Sequence, residues 1–298
     1  MISIIVPVYN RLEEILRCLA SIQAQSYYNY EIILLDDNSS EAIDSLKDKV
    51  TLYKRNERNY GPAYSRNLGV LYSKGDVLLF LDSDSELMPH ALESIEKLLK
   101  SNPSIGCVGG CGPLAFEGDD TAYIKGKYYN RLGKNQSVQY GAKDFETQEY
   151  IECDHFESAC LAVRKDVFME VGGFDPYWFY MGEDREFCLK VRQLGYCNVI
   201  SWKTRAIHHE KDLGTKQTEA SKTFFLRRFF EVSLKLHGVF GGLLWLWGNR
   251  KSLDKTFFQN LLANTASLRH VLSRRQKSFI NETTLQEYRR SKDENRKF

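Results

Sequence analysis

The stretch "GDVLLFLDSDSE", Gly75 to Glu86, decides how the rest of the chain is read. Five apolar residues, Val77 to Leu81, run directly into Asp82 and Asp84, with Ser83 and Ser85 on either side of the second acid. A short continuous apolar run bounded by polar residues reads as a strand buried on both faces. Charges are costly to bury unless they are paired or hold a cation, so the abrupt switch marks a site at the strand's end. Working outward, β-branched runs alternate with helix-patterned segments: "ISIIVPVY", then Arg11 to Gln25, "YEIILLDD", a helix-like piece near Glu41 to Lys49, "VTLYKR", and Pro62 to Ser73. Beyond the acids a helix is expected from about Pro89 to Lys100, with proline in its first turn. This βαβα order predicts an α/β fold with a mostly parallel central sheet covered on both faces. In such sheets ligands bind beyond the carboxyl ends of the strands. Three strands here finish in polar residues: Asn10, Asp36 with Asp37, and Asp82 with Asp84.

Composition narrows the classes. At 298 residues and 43% hydrophobic, the chain is large enough for a real core. A net charge of +2, from 41 basic and 39 acidic residues, argues against the broad basic footprint of a nucleic-acid binder. Seven scattered cysteines read as reduced thiols rather than a disulfide framework. Cys107 and Cys111 are the only close pair, too little for a structural zinc site. "MISIIVPVYN" reads as a first strand rather than a signal peptide, so a cytoplasmic location is expected.

From Gly112 to Tyr150 the pattern loosens into a polar, tyrosine-rich region, either an acceptor-facing insertion or a surface excursion. Order returns with a strand and short helix in "ESACLAVRKDVFMEVGGFD". A second helix follows, in which Phe187, Val191 and Leu194 recur at helical spacing and Gly195 ends the run. Glu183 and Asp184 fall in its first turn, where the helix dipole favours negative charge.

Two carboxylates at i, i+2 on a strand end can reach one divalent cation, and hard oxygen donors suit Mg2+ or Mn2+ bridging phosphates. The pattern alone is unselective, because Asp84 with Glu86, Glu152 with Asp154, and Asp184 with Glu186 share the spacing. The Glu183-Asp184 pair could hold a general base, and His208 in "SWKTRAIHHE" could supply a nitrogen ligand.

Taken together, "SIIVPVYN", "LLDDNSS", "NYGPAYSRNLGV", "VLLFLDSDSE", "VGGFDPYWFYMGEDREFCLKVRQLGY" and "AIHHE" resemble the family 2 inverting glycosyltransferases of the GT-A fold, over about residues 2 to 210. The resemblance implies a Rossmann-like nucleotide-binding domain over 1–212, with a nucleotide-sugar half (1–111) and an acceptor half (112–212). A helical, partly amphipathic extension would occupy 213–298. It implies that Pro7, Val8 and Tyr9 line the nucleotide base and that Asp37 bonds base or ribose. Asn59, Gly61, Ser65, Arg66 and Asn67 stand in the family's Asn-x-Gly and Ala-Arg-Asn pattern, with Arg66 facing the nucleotide. Asp82 and Ser83 would lie against the nucleotide-sugar. Asp84 and His208, with His209 the lesser choice, would hold Mn2+ or Mg2+. Asp184, beside Glu183, would be the catalytic base, with Gly173 near sugar or acceptor. Trp178, Phe179 and Tyr180 just before the acids either offer apolar faces to a sugar ring or, as aromatics ahead of a helix more often do, belong to the core. Glu186 stands where the family often has Asp, which puts acceptor handling in doubt.

The implied reaction is a single inverting displacement from a UDP, GDP or dTDP sugar onto a hydroxyl of a glycan or lipid-linked glycan, in cell-surface polysaccharide or glycoconjugate synthesis. An inactive scaffold recruiting partners or membrane is the alternative. A nucleotidyltransferase is a weaker one, since "VPVYNRLEE" lacks a glycine-rich phosphate loop. In 221–248 the uncharged run Leu236 to Gly248 is shorter than the roughly 20 residues needed to cross a bilayer. Apolar bulk with basic residues and tryptophans suits an interfacial helix at the inner face of the cytoplasmic membrane. A helix packed on the catalytic domain, or a homo-oligomer contact, is the other reading.

Overall fold

The computed structural model describes residues 1–112, 123–129, 135–179, 182–209, 219–253, 257–259, 261, 279–281 and 283–286. In chain order, β1 (Ile2–Val8) is followed by α1 (Leu12–Gln23), β2 (Tyr30–Asp36), a 3-10 segment (Ile43–Lys49), β3 (Leu52–Arg55), α2 (Pro62–Tyr72), β4 (Val77–Leu81) and β5 (Ser85–Leu87). Next come α3 (Ala91–Ser101), β6 (Ile105–Gly109), β7 (Cys111–Gly112), β8 (Ile124–Tyr129), β9 (Asn135–Tyr140), β10 (Ile151–Cys153) and β11 (Cys160–Arg164). The series closes with α4 (Lys165–Val171), α5 (Glu183–Gln193), β12 (Cys197–Ile200), β13 (Ala206–His208) and α6 (Glu219–Asn249).

The central sheet has eight strands in the order β10-β12-β6-β11-β4-β1-β2-β3. All run the same way except β11 and β10, which are antiparallel to their neighbours. The expected mostly parallel α/β sheet is therefore present, and the ends of β1, β2 and β4 lie on one edge. Every residue of β4 is buried, as its unbroken apolar run requires. Helix α1 buries Ile15, Cys18, Leu19 and Ile22, a single i, i+3, i+4, i+7 stripe laid on the sheet. Helix α2 differs: polar Ser65, Arg66 and Asn67 are buried along with Ala63, Tyr64 and Val70. It also presses close to β1, since a Cβ on Gly69 would stand 2.5 Å from Ile5 Cγ2.

Some local expectations change. The segment near Glu41 to Lys49 is 3-10, burying Ile43 and Leu46, an i, i+3 pair that the tighter helix stacks directly. Helix α3 starts at Ala91, with His90 rather than Pro89 at its boundary in a left-handed conformation (φ 63). Gly195 does end α5, at φ 91, but Leu194, in the capping position, is exposed. All seven cysteines are free.

Two compact units form. Met1–Gly126, Gln139–His209 and Ser278–Phe298 make the first, and Lys127–Val138 with Glu210–Lys277 the second. The second unit ends at Lys277, and Ser278–Phe298 group with the first. Phe279, Ile280 and Leu285 are buried in the first unit. There the Phe279 amide donates to the Gly172 carbonyl at 2.7 Å, and Leu285 packs with Tyr60 and Tyr64.

In the second unit, the rings of Phe230 and Trp245 lie 5.9 Å apart on α6. A straight helix would separate them by about 22 Å, so α6 doubles back between them. Gly241 and Gly242 lie in that stretch, and Ser233 Oγ donates to the Gly241 carbonyl at 3.1 Å. Phe257 joins the aromatic cluster, stacked 6.2 Å from Trp245. No helix among the described residues is long and apolar enough to cross a membrane.

Candidate active site

The acids that follow β4 are shaped by a tight turn: Ser85 N–H donates to the Asp82 carbonyl at 3.0 Å and β5 begins at once. Strand β13 pairs antiparallel with β5, setting His208 opposite Ser85. The His209 amide donates to the Asp84 carbonyl at 2.9 Å. This pairing brings His208, remote in sequence, to the acids, with Nε2 3.3 Å from Asp84 Oδ1. Ligand atoms of Asp82, Asp84 and His208 all lie within 4.8 Å of one another. His209 turns elsewhere, its Nε2 2.7 Å from Glu86 Oε1.

Asp84 is buried, and the Arg11 guanidinium contacts its Oδ2. Arg11 reaches it because Asn10 (φ 59) and Arg11 (φ 65) are consecutive left-handed residues that turn the chain sharply off β1. Asn10 is pinned there, accepting from the Ser40 amide at 2.8 Å and donating from its own amide to Ser39 Oγ at 2.8 Å. A buried carboxylate that already attracts a guanidinium is a place where positive charge is favoured. Two carboxylates and an imidazole in reach of one point fit Mn2+ or Mg2+.

Arg66 ties this cluster to the second acidic pair. Its guanidinium, buried in α2, bonds Asp82 Oδ1 at 2.6 Å and Glu183 Oε1 at 3.1 Å, and lies 5.6 Å from the Phe174 ring centre. Glu183 is consequently drawn inward. Burial, then the neighbouring charge of Asp184, push its carboxyl up to about 7 against the pull of Arg66. Asp184 remains partly exposed in the first turn of α5, its Oδ1 accepting the Arg185 amide at 2.6 Å. Gly182 opens that turn at φ 110, a conformation that costs other residues.

Other expected contacts are reassigned by burial. Trp178 is fully buried and its indole N–H donates to Glu186, which also pairs with Lys190 at 2.6 Å. Trp178 therefore offers no face to a sugar, and Glu186 is an interior tie rather than an outer contact. Gly173 (φ 76) is covered as well: a Cβ there would meet Ile280 Cγ1 at 2.6 Å and Asn67 Oδ1 at 2.9 Å. Asp37 is buried and saturated, accepting from Asn56 Nδ2 at 2.7 Å, the Tyr60 amide at 2.9 Å and the Gly61 amide at 2.7 Å. Through these bonds it shapes the loop that starts α2. Burial still raises its pKa, against the lowering pull of those bonds. Pro7 and Val8 are buried within β1, leaving half-exposed Tyr9 as the surface at that strand end. Ser83 is buried in the turn between Asp82 and Asp84. Phe179 is partly exposed over Gly61, whereas Tyr180 lies outside the described residues. Arg11 went unremarked in the sequence, although it directly follows the polar end of β1.

Residues 3–172 match the sequence profile of "Glycosyl transferase family 2". The chain belongs to this family. A relative from Haemophilus influenzae, named as an uncharacterized glycosyltransferase, is 32% identical over 65% of this chain and 62% of its own length. A Campylobacter jejuni relative, "GalNAc(5)-diNAcBac-PP-undecaprenol beta-1,3-glucosyltransferase", is 30% identical over 48% of this chain and 47% of its own. This chain thus spans less than two thirds of either relative. Among solved structures, GalNAc-T7 with UDP, GalNAc and Mn2+ superposes with a TM-score of 0.62 at 19% identity, covering 79% of this chain and 48% of that one. At that identity the likeness speaks for the GT-A fold alone.

Proposed function

We propose that the protein is an inverting glycosyltransferase that moves one sugar from a nucleotide-diphosphate donor to a hydroxyl of a glycan or lipid-linked glycan. The observation that carries this reading is the cluster of Asp82, Asp84 and His208 around one point, joined through Arg66 to the helix start that bears Asp184. Asp84 and His208, with Asp82 adjacent, would hold Mn2+ or Mg2+, a Lewis acid for a departing diphosphate. Arg66 fixes Asp82 in place and keeps Glu183 turned inward. Asp184, the exposed member of its pair, takes the proton from the acceptor hydroxyl as that oxygen attacks. One base on the face opposite the leaving group gives a single displacement with inversion. Arg11 is paired with Asp84, and a cation held by Asp84 would take its place.

Two likenesses support the substrate classes: a relative named for a polyprenyl-diphosphate-linked acceptor and a neighbouring structure holding UDP and Mn2+. The turn of α6 supports contact with a membrane surface. Val239, Phe240, Leu243 and Trp247 are each more than half exposed there, and Arg250 lies 4.9 Å from the Trp247 ring centre. An apolar tip edged by tryptophan and arginine suits the boundary of an anionic leaflet.

A panel of UDP, GDP and dTDP sugars, with Mn2+ or Mg2+ and release of free nucleotide as readout, tests the proposal. Metal-dependent release from one donor, abolished by EDTA and by Asp84→Ala, is expected. If no nucleotide is released and none binds with metal, the catalytic reading fails and a scaffold takes its place.

A further inference from the structure

A second cluster of ligating side chains lies beside the first. Cys111, Glu157 and His208 bring a sulfur, a carboxylate oxygen and a ring nitrogen within 4.8 Å of one another. The sheet builds it. Strand β7 runs parallel to β13 with Cys111 paired to Ala206, and alternate residues share a face of a strand. The His208 imidazole therefore projects on the side of the Cys111 thiol, with a ring nitrogen within 4.8 Å of the sulfur. Glu157 arrives from the loop between β10 and β11. All three residues are partly exposed. Apart from Cys111 and Cys197, every cysteine of the chain is buried, so Cys111 is one of two thiols that a dissolved ion can reach.

We propose that Cys111, Glu157 and His208 form a distinct site for a soft divalent cation of the Zn2+ type, and that filling it withdraws His208 from the Asp82-Asp84 site. The donor set distinguishes the two. Thiolate, imidazole and one carboxylate are the ligands of a three-residue zinc centre with an open fourth position, whereas two carboxylates and an imidazole suit harder Mn2+ or Mg2+. A neutral imidazole has one lone pair. With Zn2+ on that lone pair, the ring meets Asp84 only as an N–H donor, and the hard site keeps its carboxylates alone. The zinc site itself stands on its three ligands, while its consequence for transfer rests on the metal-assisted reading above.

Co2+ added to the full chain serves as a spectroscopic stand-in for Zn2+. A thiolate-to-cobalt charge-transfer band is expected, absent in Cys111→Ser, weakened in affinity by about tenfold or more in Glu157→Gln, and retained in Asp84→Asn. Absence of the band, or its survival in Cys111→Ser, overturns the site. One equivalent of Zn2+ should then weaken Mn2+ binding about tenfold or more in the unmodified protein and less than about twofold in Cys111→Ser. Unchanged Mn2+ affinity with the band present overturns the sharing of His208. Failure of Mn2+ to bind at all, with the band intact, counts against the proposed function and leaves the zinc site standing.

Discussion

Asp82-Ser83-Asp84 and Glu183-Asp184 are both short acidic runs at the end of an element, yet their surroundings drive them apart. At the strand end, the buried acid Asp84 is met by a guanidinium and an imidazole, so positive charge is what the site favours. At the helix start, the buried acid Glu183 is crowded by Asp184 and shut away from water, so a proton is what it lacks. Arg66 touches one acid of each pair and leaves Asp184 as the less buried carboxylate of the second. Like residues thus acquire unlike surroundings through burial and partners: a carboxylate that favours a cation at one end, and at the other a buried carboxyl that favours its proton beside a less buried neighbour.

The most severe way to break this comparison is to neutralise each helix-start acid in turn. Asp184→Asn should lower transfer by about 10²–10⁴-fold with the thermal midpoint nearly unchanged, while Glu183→Gln should cost less than about tenfold. Steady-state kinetics decides, and a reversed order would make Glu183 the base. Arg66→Met comes next. It strands Glu183 and Asp82 without their shared cation and should cost about 3–5 kcal/mol in urea unfolding at pH 8. The double variant with Glu183→Gln should recover part of that loss, because the buried charge is gone.

A smaller effect concerns pH. The folded-state pKa of Glu183 is raised above its unfolded value, so the folded chain binds more protons between the ordinary carboxylate range and about pH 7. The Glu183 contribution is therefore favourable below that window and declines as pH rises through it. Unfolding midpoints at pH 5 and pH 8 should show a decline that Glu183→Gln flattens. Last, Phe240→Asp with Trp247→Asp should reduce flotation with anionic vesicles while leaving nucleotide release from the donor, measured with a soluble acceptor, unchanged. Equal flotation would remove the membrane role of the α6 turn.

Strand ends were legible in the sequence because buried parallel strands are unbroken apolar runs, and an acid after such a run has few structural excuses. Asp82 and Asp84 were placed at a strand end that way and His208 just after a short strand, whereas Asp184 was placed in the first turn of a helix by the periodicity of α5. Burial of polar and aromatic side chains was not legible. Trp178 and Gly173 carry residue types suited to binding, but Glu186 and Ile280 lie against them, and the Tyr60-Gly61 amides that bond Asp37 were equally invisible. Those partners lie in other elements, and periodicity says nothing of contacts that distant. The same holds for Phe279 to Leu285, which fall within the helical extension expected over 213–298.

That returning segment also bears on how the protein is made. Asn67 in α2 donates to the Phe174 carbonyl at 2.7 Å and accepts the Phe174 amide at 3.0 Å, and its side chain also faces the Phe279 carbonyl at 3.4 Å. A chain emerging from the ribosome can assemble the sheet long before Phe279 and Ile280 exist, but Gly172 and Gly173 stay uncovered until they do. Asn67 and the Gly172-Gly173 pair are therefore covered only by residues translated well after them, and a nascent chain stalled short of Phe279 would expose that glycine pair to water and proteases.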